Sequence, residues 1–291
     1  MITKLLSIEI PTCNYDIFNK FITPSLKYFT LIKDFSYFNI NFQNYSSEQI
    51  EEIINKFKEL NLDIYYSIDK KYDKPLSLID IREDTHKINP KSKFSLTLDD
   101  DIYILDYTPI YSLIHSIHYM LNNKDLNVVT LENETILDVN NIKPNTIYGW
   151  NTVWDTNIKG PRFGILVRNC QEGNNLFNPE FHHLKGGAQD RLLIYNYILL
   201  PNHGFARIYA GNFLHRSLPD GQSKACGGNL YKWFEVTDTK QICRSVLPKL
   251  KYKYIYNYAE ILFDYNSYNI ENLLEDILNN CIIYKKGDLY D

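Results

Sequence analysis

The chain has 291 residues, of which 44% are hydrophobic, and its 31 Lys plus Arg against 35 Asp plus Glu give a net charge of −4. A charge this balanced argues against nucleic acid or an anionic membrane as the main partner. The longest apolar runs fall well short of the roughly 18 residues that a membrane span needs, so no transmembrane segment is predicted.

The cysteines predict a reduced, cytoplasmic protein. There are five of them, an odd number, widely scattered and without a CxxC pair: Cys13, Cys170, Cys226, Cys243 and Cys281. Such a pattern is typical of neither a disulfide framework nor a zinc site. The first ten residues also lack the apolar core and small-residue cleavage site of a secretory signal.

The first third of the chain alternates between strand and helix patterns. A buried strand over Leu5–Ile10 is stopped by Pro11, and the helical region that follows, residues 15–32, is broken near Pro24. A second strand is predicted at 38–42 by alternation.

The alternation continues to residue 98. Ser46 and Gln49 form a capping box before an amphipathic helix. Strands are predicted at 62–68 and at Phe94–Leu98, and strand–helix alternation at this spacing predicts a mainly parallel sheet flanked by helices, an α/β fold.

The second half of the chain adds further elements. A helix begins at Thr108-Pro109 and carries His115 and His118, which are interpreted as ordinary helix residues because no third ligand accompanies them. Further strands are predicted at 165–168 and 204–209. Two helices are predicted between residues 252 and 278, and the basic, tyrosine-rich segment before them leaves peripheral membrane contact open.

Three consecutive carboxylates, Asp99, Asp100 and Asp101, follow the Phe94–Leu98 strand. They form either a solvated acidic turn or a site for a hard divalent cation, and these two interpretations carry equal weight when the cluster is taken alone. At the carboxyl end of a strand in an α/β sheet, a cation would lie where ligands usually bind.

A second group of chemically informative residues comes later. Gly186-Gly187-Ala188-Gln189-Asp190 opens a helix, and its two glycines would let the backbone approach a ligand closely. His215 lies at the end of a strand-like segment, and His203 competes with it as a ligand candidate. The glycine-rich stretch 219–229 has the composition of a surface loop that acts as a lid.

In this order, the motifs resemble glycosyltransferases of family 2 and their relatives, which have the GT-A fold. Ser7–Asn14 resembles their opening strand and nucleotide loop, and Leu98–Asp101 is similar to their DxD motif. Asp190 matches the carboxylate that opens the acceptor-side helix, Gly204 the glycine after that helix, and His215 an additional metal ligand. The resemblance covers roughly residues 2–217.

The resemblance implies a hexosyltransferase-type enzyme that takes a nucleotide-sugar donor, a UDP-sugar, with Mn²⁺ or Mg²⁺. Pro11, Thr12 and Asn14 would line the base and ribose pocket, and Arg82 would approach the diphosphate. Asp99 and Asp100 would lie near the ribose and metal. The metal ligands would be Asp99, Asp101 and His215.

The acceptor would be a glycan or another hydroxyl compound. Asp190 is assigned as the general base that removes the acceptor proton, and direct displacement then inverts the anomeric carbon. Two departures weaken the pattern: Gln189 replaces the usual glutamate, and 41–44 lacks the aspartate that often reads the base.

The implied organisation is a Rossmann-like GT-A domain over residues 1–229, with a nucleotide-sugar half at 1–105 and an acceptor half at 106–229. Residues 230–291 would be a C-terminal helical extension packed on the same domain. Two alternatives are a GT-A-like binding module without turnover and an aspartate-dependent phosphatase. The phosphatase motif requires Thr or Val where Tyr103 stands.

Overall fold

The computed structural model of the chain describes residues 4–69, 78–124, 126–132, 162–169, 175–177, 193–194, 197, 204–215, 258–261 and 269–287. Five α-helices have their bounds within these residues: α1 Tyr15–Phe29, α2 Ser47–Glu59, α3 Leu78–Lys87, α4 Thr108–Asn122 and α5 Ile270–Gly287. A short 3-10 helix, Thr30–Ile32, follows α1. The strands are β1 Leu6–Thr12, β2 Ser36–Gln43, β3 Ile64–Asp69, β4 Phe94–Thr97, β5 Ile102–Ile104, β6 Leu126–Glu132, β7 Arg162–Arg168, β8 Gly204–Tyr209, β9 Phe213–His215 and β10 Tyr258–Ile261.

Eight strands form one sheet in the order β10-β8-β6-β7-β4-β1-β2-β3, and β5 and β9 form a separate pair. Within the described part of the sheet, β7 alone runs antiparallel to its neighbours, β4 and β6. The other pairings are parallel. The predicted mainly parallel α/β sheet is confirmed, and the arrangement is a Rossmann-like GT-A fold.

The parallel strands β1 to β4 place their carboxyl ends at a single edge of the sheet. Thr12, Gln43 and Asp69 end β1, β2 and β3, and Asp99 follows β4 by two residues. Because helices cover both faces of such a sheet, this edge is where polar groups are concentrated without disturbing the core.

Strand β2 shows how the sequence distributes its two faces. Phe38 lies against Phe29 of α1 and Phe57 of α2, with ring centroids 5.2 Å and 4.9 Å away. The intervening Asn39 points to the other face, where its amide donates to the Asn89 carbonyl at 3.1 Å. The two-residue period of a strand therefore separates an apolar layer from a polar layer.

Helix α3 covers the polar layer through a buried ion pair. His86 Nδ1 lies 2.6 Å from Glu9 Oε1, and both side chains are about 2% exposed or less. Ser7 donates to the same Glu9 oxygen at 2.8 Å and shares a 2.9 Å hydrogen bond with Ser95 of β4. This network fixes α3 on β1 and β4 at a level below the carboxyl edge.

The structure corrects two predictions about proline. Pro11 does not stop the first strand, since β1 stays paired with β2 as far as Thr12. The pairing of β1 with β4 ends at Glu9, so the N–H that Pro11 lacks is not needed for that pairing. Pro24 lies inside α1 and does not break it. Burial of the helix's apolar side offsets the cost of about 3 kcal/mol that an internal proline carries.

The C-terminal region is also corrected. Tyr258–Ile261 forms β10, which pairs in parallel with Phe205–Ile208, so the first of the two predicted helices is wrong at these residues. Their aromatic and apolar content suits an added strand. The second helix is confirmed as α5, which packs on α4 and buries Ile277 and Cys281.

Cysteine chemistry differs from the prediction as well. Cys281 is a free, buried thiol, whereas Cys13 is disulfide-bonded. The predicted fully reduced chain is therefore wrong at Cys13, since spacing along a sequence does not report distance in the fold. Among the described residues, no helix combines the length and apolar character needed to cross a bilayer.

Candidate metal and nucleotide site

The acidic cluster lies between β4 and β5, at the carboxyl edge of the sheet. Strand β5 turns back from it and pairs antiparallel with β9, which places Ile102 opposite His215. Residues from two distant parts of the sequence are thereby brought to one point. The pairing explains why the last residue of β9 reaches the carboxylates that precede β5.

Asp99, Asp101 and His215 form a group whose potential ligand atoms all lie within 4.8 Å of one another. His215 Nε2 is 3.2 Å from Asp101 Oδ1 and 3.9 Å from Asp99 Oδ2. Two carboxylates and an imidazole suit Mn²⁺, because carboxylates prefer hard cations and imidazole favours transition metals. The structure thus brings together the three residues predicted as metal ligands, and they are chemically suited to a divalent metal.

Arg82 holds Asp99 from the opposite side. It is 5% exposed, projects from α3, and forms an ion pair with Asp99 Oδ1. Removal from water raises the pKa of Asp99, but the positive charge of Arg82, with further contributions from His215 and Arg162, outweighs this and leaves the pKa below its usual value. Asp99 therefore stays ionised and oriented.

Asp100 is separated from the other two carboxylates by its contacts. Its Oδ2 accepts a hydrogen bond from the Thr12 hydroxyl at 2.7 Å, and it is not part of the Asp99–Asp101–His215 group. Burial and the neighbouring Asp101 raise the pKa of Asp100 to about 7, although the Thr12 hydrogen bond acts in the opposite direction. Asp100 connects the acidic turn to the end of β1.

The three residues predicted to line the nucleotide pocket, Pro11, Thr12 and Asn14, each have different contacts. Thr12 also shares a 2.6 Å hydrogen bond with the Tyr45 hydroxyl. Asn14 caps α1, with its side-chain oxygen accepting from the Ile17 N–H at 3.2 Å. Pro11 lies within β1, opposite Asn41 of β2. All three lie at or just beyond the carboxyl end of β1.

Strand β9 is tied to the start of α4 by three side chains, Asp106, Thr108 and Asn212, which we call the Asp106 clamp. Asn212 Nδ2 donates to Asp106 Oδ2 at 2.7 Å, and the Asn212 N–H donates to Thr108 Oγ1 at 2.8 Å. Asp106 Oδ1 accepts from the Thr108 N–H at 2.8 Å. The clamp lies at the opposite end of β9 from His215.

Glu83 of α3 holds a distant segment. Its side chain is 1% exposed, and Oε2 accepts hydrogen bonds from the backbone N–H groups of Leu176 and Phe177, both at 2.9 Å. Lys87 lies 3.2 Å from the other carboxylate oxygen. Consecutive residues of α3, Arg82 and Glu83, thus contact the acidic cluster and this later segment.

Sequence reasoning missed several polar groups at the same edge. Asn41 is fully buried, yet neither end of its amide has a hydrogen-bond partner among the described residues. Within that same part of the chain, the buried atoms Gln43 Nε2 and Asp69 Oδ2 also have no partner. Asn41 pairs in register with Ser67, and Gln43 pairs with Asp69. The signal that the sequence offers for these groups is the alternation of polar with apolar residues along β2. The absence of an aspartate at 41–44 does not by itself reveal these polar groups.

Several predicted site residues lie outside the described residues: Gln189, Asp190, His203 and the loop 219–229. His115 and His118 are described, and no group of potential metal ligands among the described residues includes either of them. His115 is buried, which lowers its pKa to about 4 with a further contribution from His118. His118 faces Asp276 of α5 at 3.2 Å.

Comparison with protein-family models matches none of them, and comparison with curated proteins finds no match. Among solved structures, TarS 1–349 from S. aureus is similar over 73% of this chain and 60% of its own, at 17% identity and a TM-score of 0.46. TarS 1–349 in complex with UDP-GlcNAc is similar over 47% of this chain and 35% of its own, at 21% identity and a TM-score of 0.33.

The mannosyltransferase PcManGT from Pyrobaculum calidifontis, in complex with GDP-Man and Mn²⁺, is similar over 43% of this chain and 34% of its own. Its identity is 8% and its TM-score 0.33. The chain spans less than two thirds of each of these structures. Since all three TM-scores are below 0.5, the fold assignment rests on the strand order and directions described above.

Proposed function

We propose that this protein is a metal-dependent glycosyltransferase that moves a sugar from a nucleotide-sugar, a UDP-sugar, to an acceptor hydroxyl. The observation that carries the proposal is the convergence of Asp99, Asp101 and His215 at the carboxyl edge of the sheet, with Arg82 beside them. Two carboxylates, an imidazole and a buried guanidinium suit a ligand that combines a divalent cation with a diphosphate.

Asp99, Asp101 and His215 would hold Mn²⁺, or Mg²⁺ in its place. The cation would supply charge stabilisation for the departing nucleoside diphosphate, a contribution of several kcal/mol. Arg82 keeps Asp99 ionised and adds a second positive charge at the same place. Asp100, held by Thr12, would contact the ribose rather than the metal.

The buried polar groups of β2 and β3 that have no partner among the described residues support a nucleobase at this edge. Buried amides normally have hydrogen-bond partners, and an exception calls for an explanation. Asn41 presents a donor and an acceptor side by side, which matches the N–H and carbonyl edge of uracil. Gln43 and Asp69 extend the same polar surface.

Asp190 is proposed as the general base that takes the proton of the acceptor hydroxyl, which predicts inversion at the anomeric carbon. Its position in the sequence supports this role, 25 residues before His215. In the proposed organisation, residues 1–105 bind the nucleotide-sugar and 106–229 bind the acceptor, with 230–291 as an extension packed on the same domain.

The function is tested by a thermal-shift screen of nucleotide-sugars with Mn²⁺ and with chelator, followed by mass spectrometry of the products. Two results are expected: a UDP-sugar stabilises the protein only when the metal is present, and mass spectrometry detects an acceptor that has gained the sugar. Binding without transfer or hydrolysis would instead support a binding module. Release of phosphate from simple esters would support a phosphatase, and no metal-dependent nucleotide effect would refute the proposal.

An Asp190→Ala variant is expected to bind Mn²⁺ and donor like the wild type and to lose transfer by roughly 10²–10⁴-fold, the usual contribution of a general base. Donor affinity from calorimetry and initial rates with saturating acceptor separate the two effects. Asp190→Asn is the matched variant that preserves size and removes basicity. Equal loss of donor binding would show that Asp190 is not the base.

An Asn41→Leu variant is expected to be stabilised by about 1–3 kcal/mol without ligand, because it removes buried polar groups for which the described residues offer no partner. The same change should weaken UDP binding. Chemical denaturation and calorimetry measure the two effects. Asn39→Leu is the matched control on the same face, and it should be destabilising, because the Asn39 amide is hydrogen-bonded. Tighter UDP binding by Asn41→Leu would contradict the assignment.

A further inference from the structure

The position of His215 depends on a very short strand. Strand β9 has three residues and pairs with β5, which also has three, and within the described part of the chain these two strands form a sheet of their own. A two-stranded pair is only marginally stable by itself, so its register needs support from outside the pair. Phe213 contributes packing, with its ring centroid 5.5 Å from that of Phe163.

The Asp106 clamp supplies polar constraints at the start of β9. Asp106 accepts from Asn212 and from Thr108, and Thr108 accepts from the Asn212 backbone. The Leu105 N–H donates to the Asn212 carbonyl at 3.2 Å. The end of β5 and the start of β9 are therefore both held at the first turn of α4.

Gly211, which precedes Asn212, restricts how the chain can enter β9. Its φ of +81° lies in the left-handed region, and a Cβ at this position would overlap the Thr108 side chain and backbone. The backbone at Gly211 therefore lies directly against Thr108, at the start of α4, before the chain enters β9. A close backbone approach of this kind leaves little freedom for β9 to shift along β5.

Register matters here because side chains alternate along a strand. A slip of β9 by one residue would move His215 to the opposite face of the β5–β9 pair and bring Leu214 to the carboxylates. We propose that Asp106, Thr108 and Asn212 are positioning residues that set the register of β9 and thereby hold His215 at the metal site. This inference rests on the metal site of the proposed function.

The expected effect follows from populations. If only a fraction of molecules has β9 in the register that presents His215, the apparent dissociation constant for metal rises by the inverse of that fraction. Removing the Asn212 side chain leaves its backbone bonds in place and deletes the link to Asp106. We expect Asn212→Ala to bind Mn²⁺ about tenfold more weakly.

The test is calorimetric titration of the full chain with Mn²⁺ alone, with no donor or acceptor present. Asn212 is exposed, so its alanine variant is expected to fold. Thr108→Val, which keeps the side-chain shape and removes the hydroxyl, provides a second variant. Ser46→Ala is the matched control, because it removes a capping hydrogen bond from α2 and should leave Mn²⁺ affinity unchanged.

A double-mutant cycle separates positioning from general destabilisation. In a His215→Ala background, Asn212→Ala should change Mn²⁺ affinity by less than about twofold, because the residue it positions is absent. Additive losses in the two backgrounds, or wild-type affinity in the Asn212→Ala variant, would overturn the inference. No Mn²⁺ binding by the wild type would refute the proposed metal site itself. Mn²⁺ binding without nucleotide binding would refute the proposed function and leave the clamp intact.

Discussion

An Asp101→Ala variant is expected to lose metal-dependent nucleotide binding. Asp101 has the closest contact with His215, at 3.2 Å, and its side chain is only 22% exposed. Loss of one anion beside a divalent cation removes on the order of 4 kcal/mol of charge interaction, or roughly a thousandfold in affinity. Calorimetric titration with Mn²⁺, and then with UDP at saturating Mn²⁺, measures this loss.

The neighbouring Asp100→Asn variant is the matched control. It changes the same residue type one position away, but the Asp100 side chain is turned to Thr12. Its Mn²⁺ affinity should stay close to that of the wild type. If the two variants lose Mn²⁺ equally, the acidic turn acts as an undivided negative patch, and the ligand set assigned to Asp99, Asp101 and His215 is wrong.

A Glu9→Gln variant is expected to reverse the pH dependence of stability near neutrality. In the wild type, burial lowers the pKa of His86, but Glu9, with a smaller contribution from Glu83, outweighs it and raises the pKa above its usual value, while Lys87 opposes them weakly. The ion pair therefore stabilises the fold fully below the unfolded-state pKa of about 6.5, and this stability is lost as the pH rises through the folded-state value.

Without the Glu9 carboxylate, burial is expected to dominate and lower the pKa of His86. The variant should then gain stability as the pH rises towards about 6.5, because its unfolded state binds the extra proton. Each slope is at most about 1.4 kcal/mol per pH unit. Urea unfolding from about pH 5 to pH 9 measures both curves.

The exposed Glu52, which accepts a hydrogen bond from Tyr15, provides the control: Glu52→Gln should keep the wild-type slope. The difference between the two variants cancels other groups that titrate in this range. Parallel curves for Glu9→Gln and the wild type would show that His86 does not carry a proton in the folded protein at neutral pH.

The parts of the fold that sequence could predict are those where local chemistry determines structure. The Ser46–Gln49 capping box is present at the start of α2, and the alternation at Phe38–Phe42 does form a two-faced strand. The acidic turn after β4 was predicted from residue type alone. Its grouping of Asp99 and Asp101 with His215 was predicted through the resemblance to a known family.

The predictions that failed concern features that depend on contacts between residues far apart in the sequence. Pro24 is tolerated because α1 buries its apolar face, and Tyr258–Ile261 is a strand because the edge of β8 is available to it. No local pattern shows that Asn41 will be buried with no partner in the part of the chain that the structure describes. Nor does the sequence show that Asn212 will contact Asp106, since the two residues lie 106 positions apart.

The contact of Glu83 with Leu176 and Phe177 has a consequence for local opening. Leu176 and Phe177 lie 93 and 94 positions after Glu83, so the contact closes a long loop and lasts only while α3 holds Glu83 in place. The two amide protons should then resist exchange with solvent for as long as α3 stays folded. Their exchange would report the opening of α3 from a segment nearly one hundred residues away.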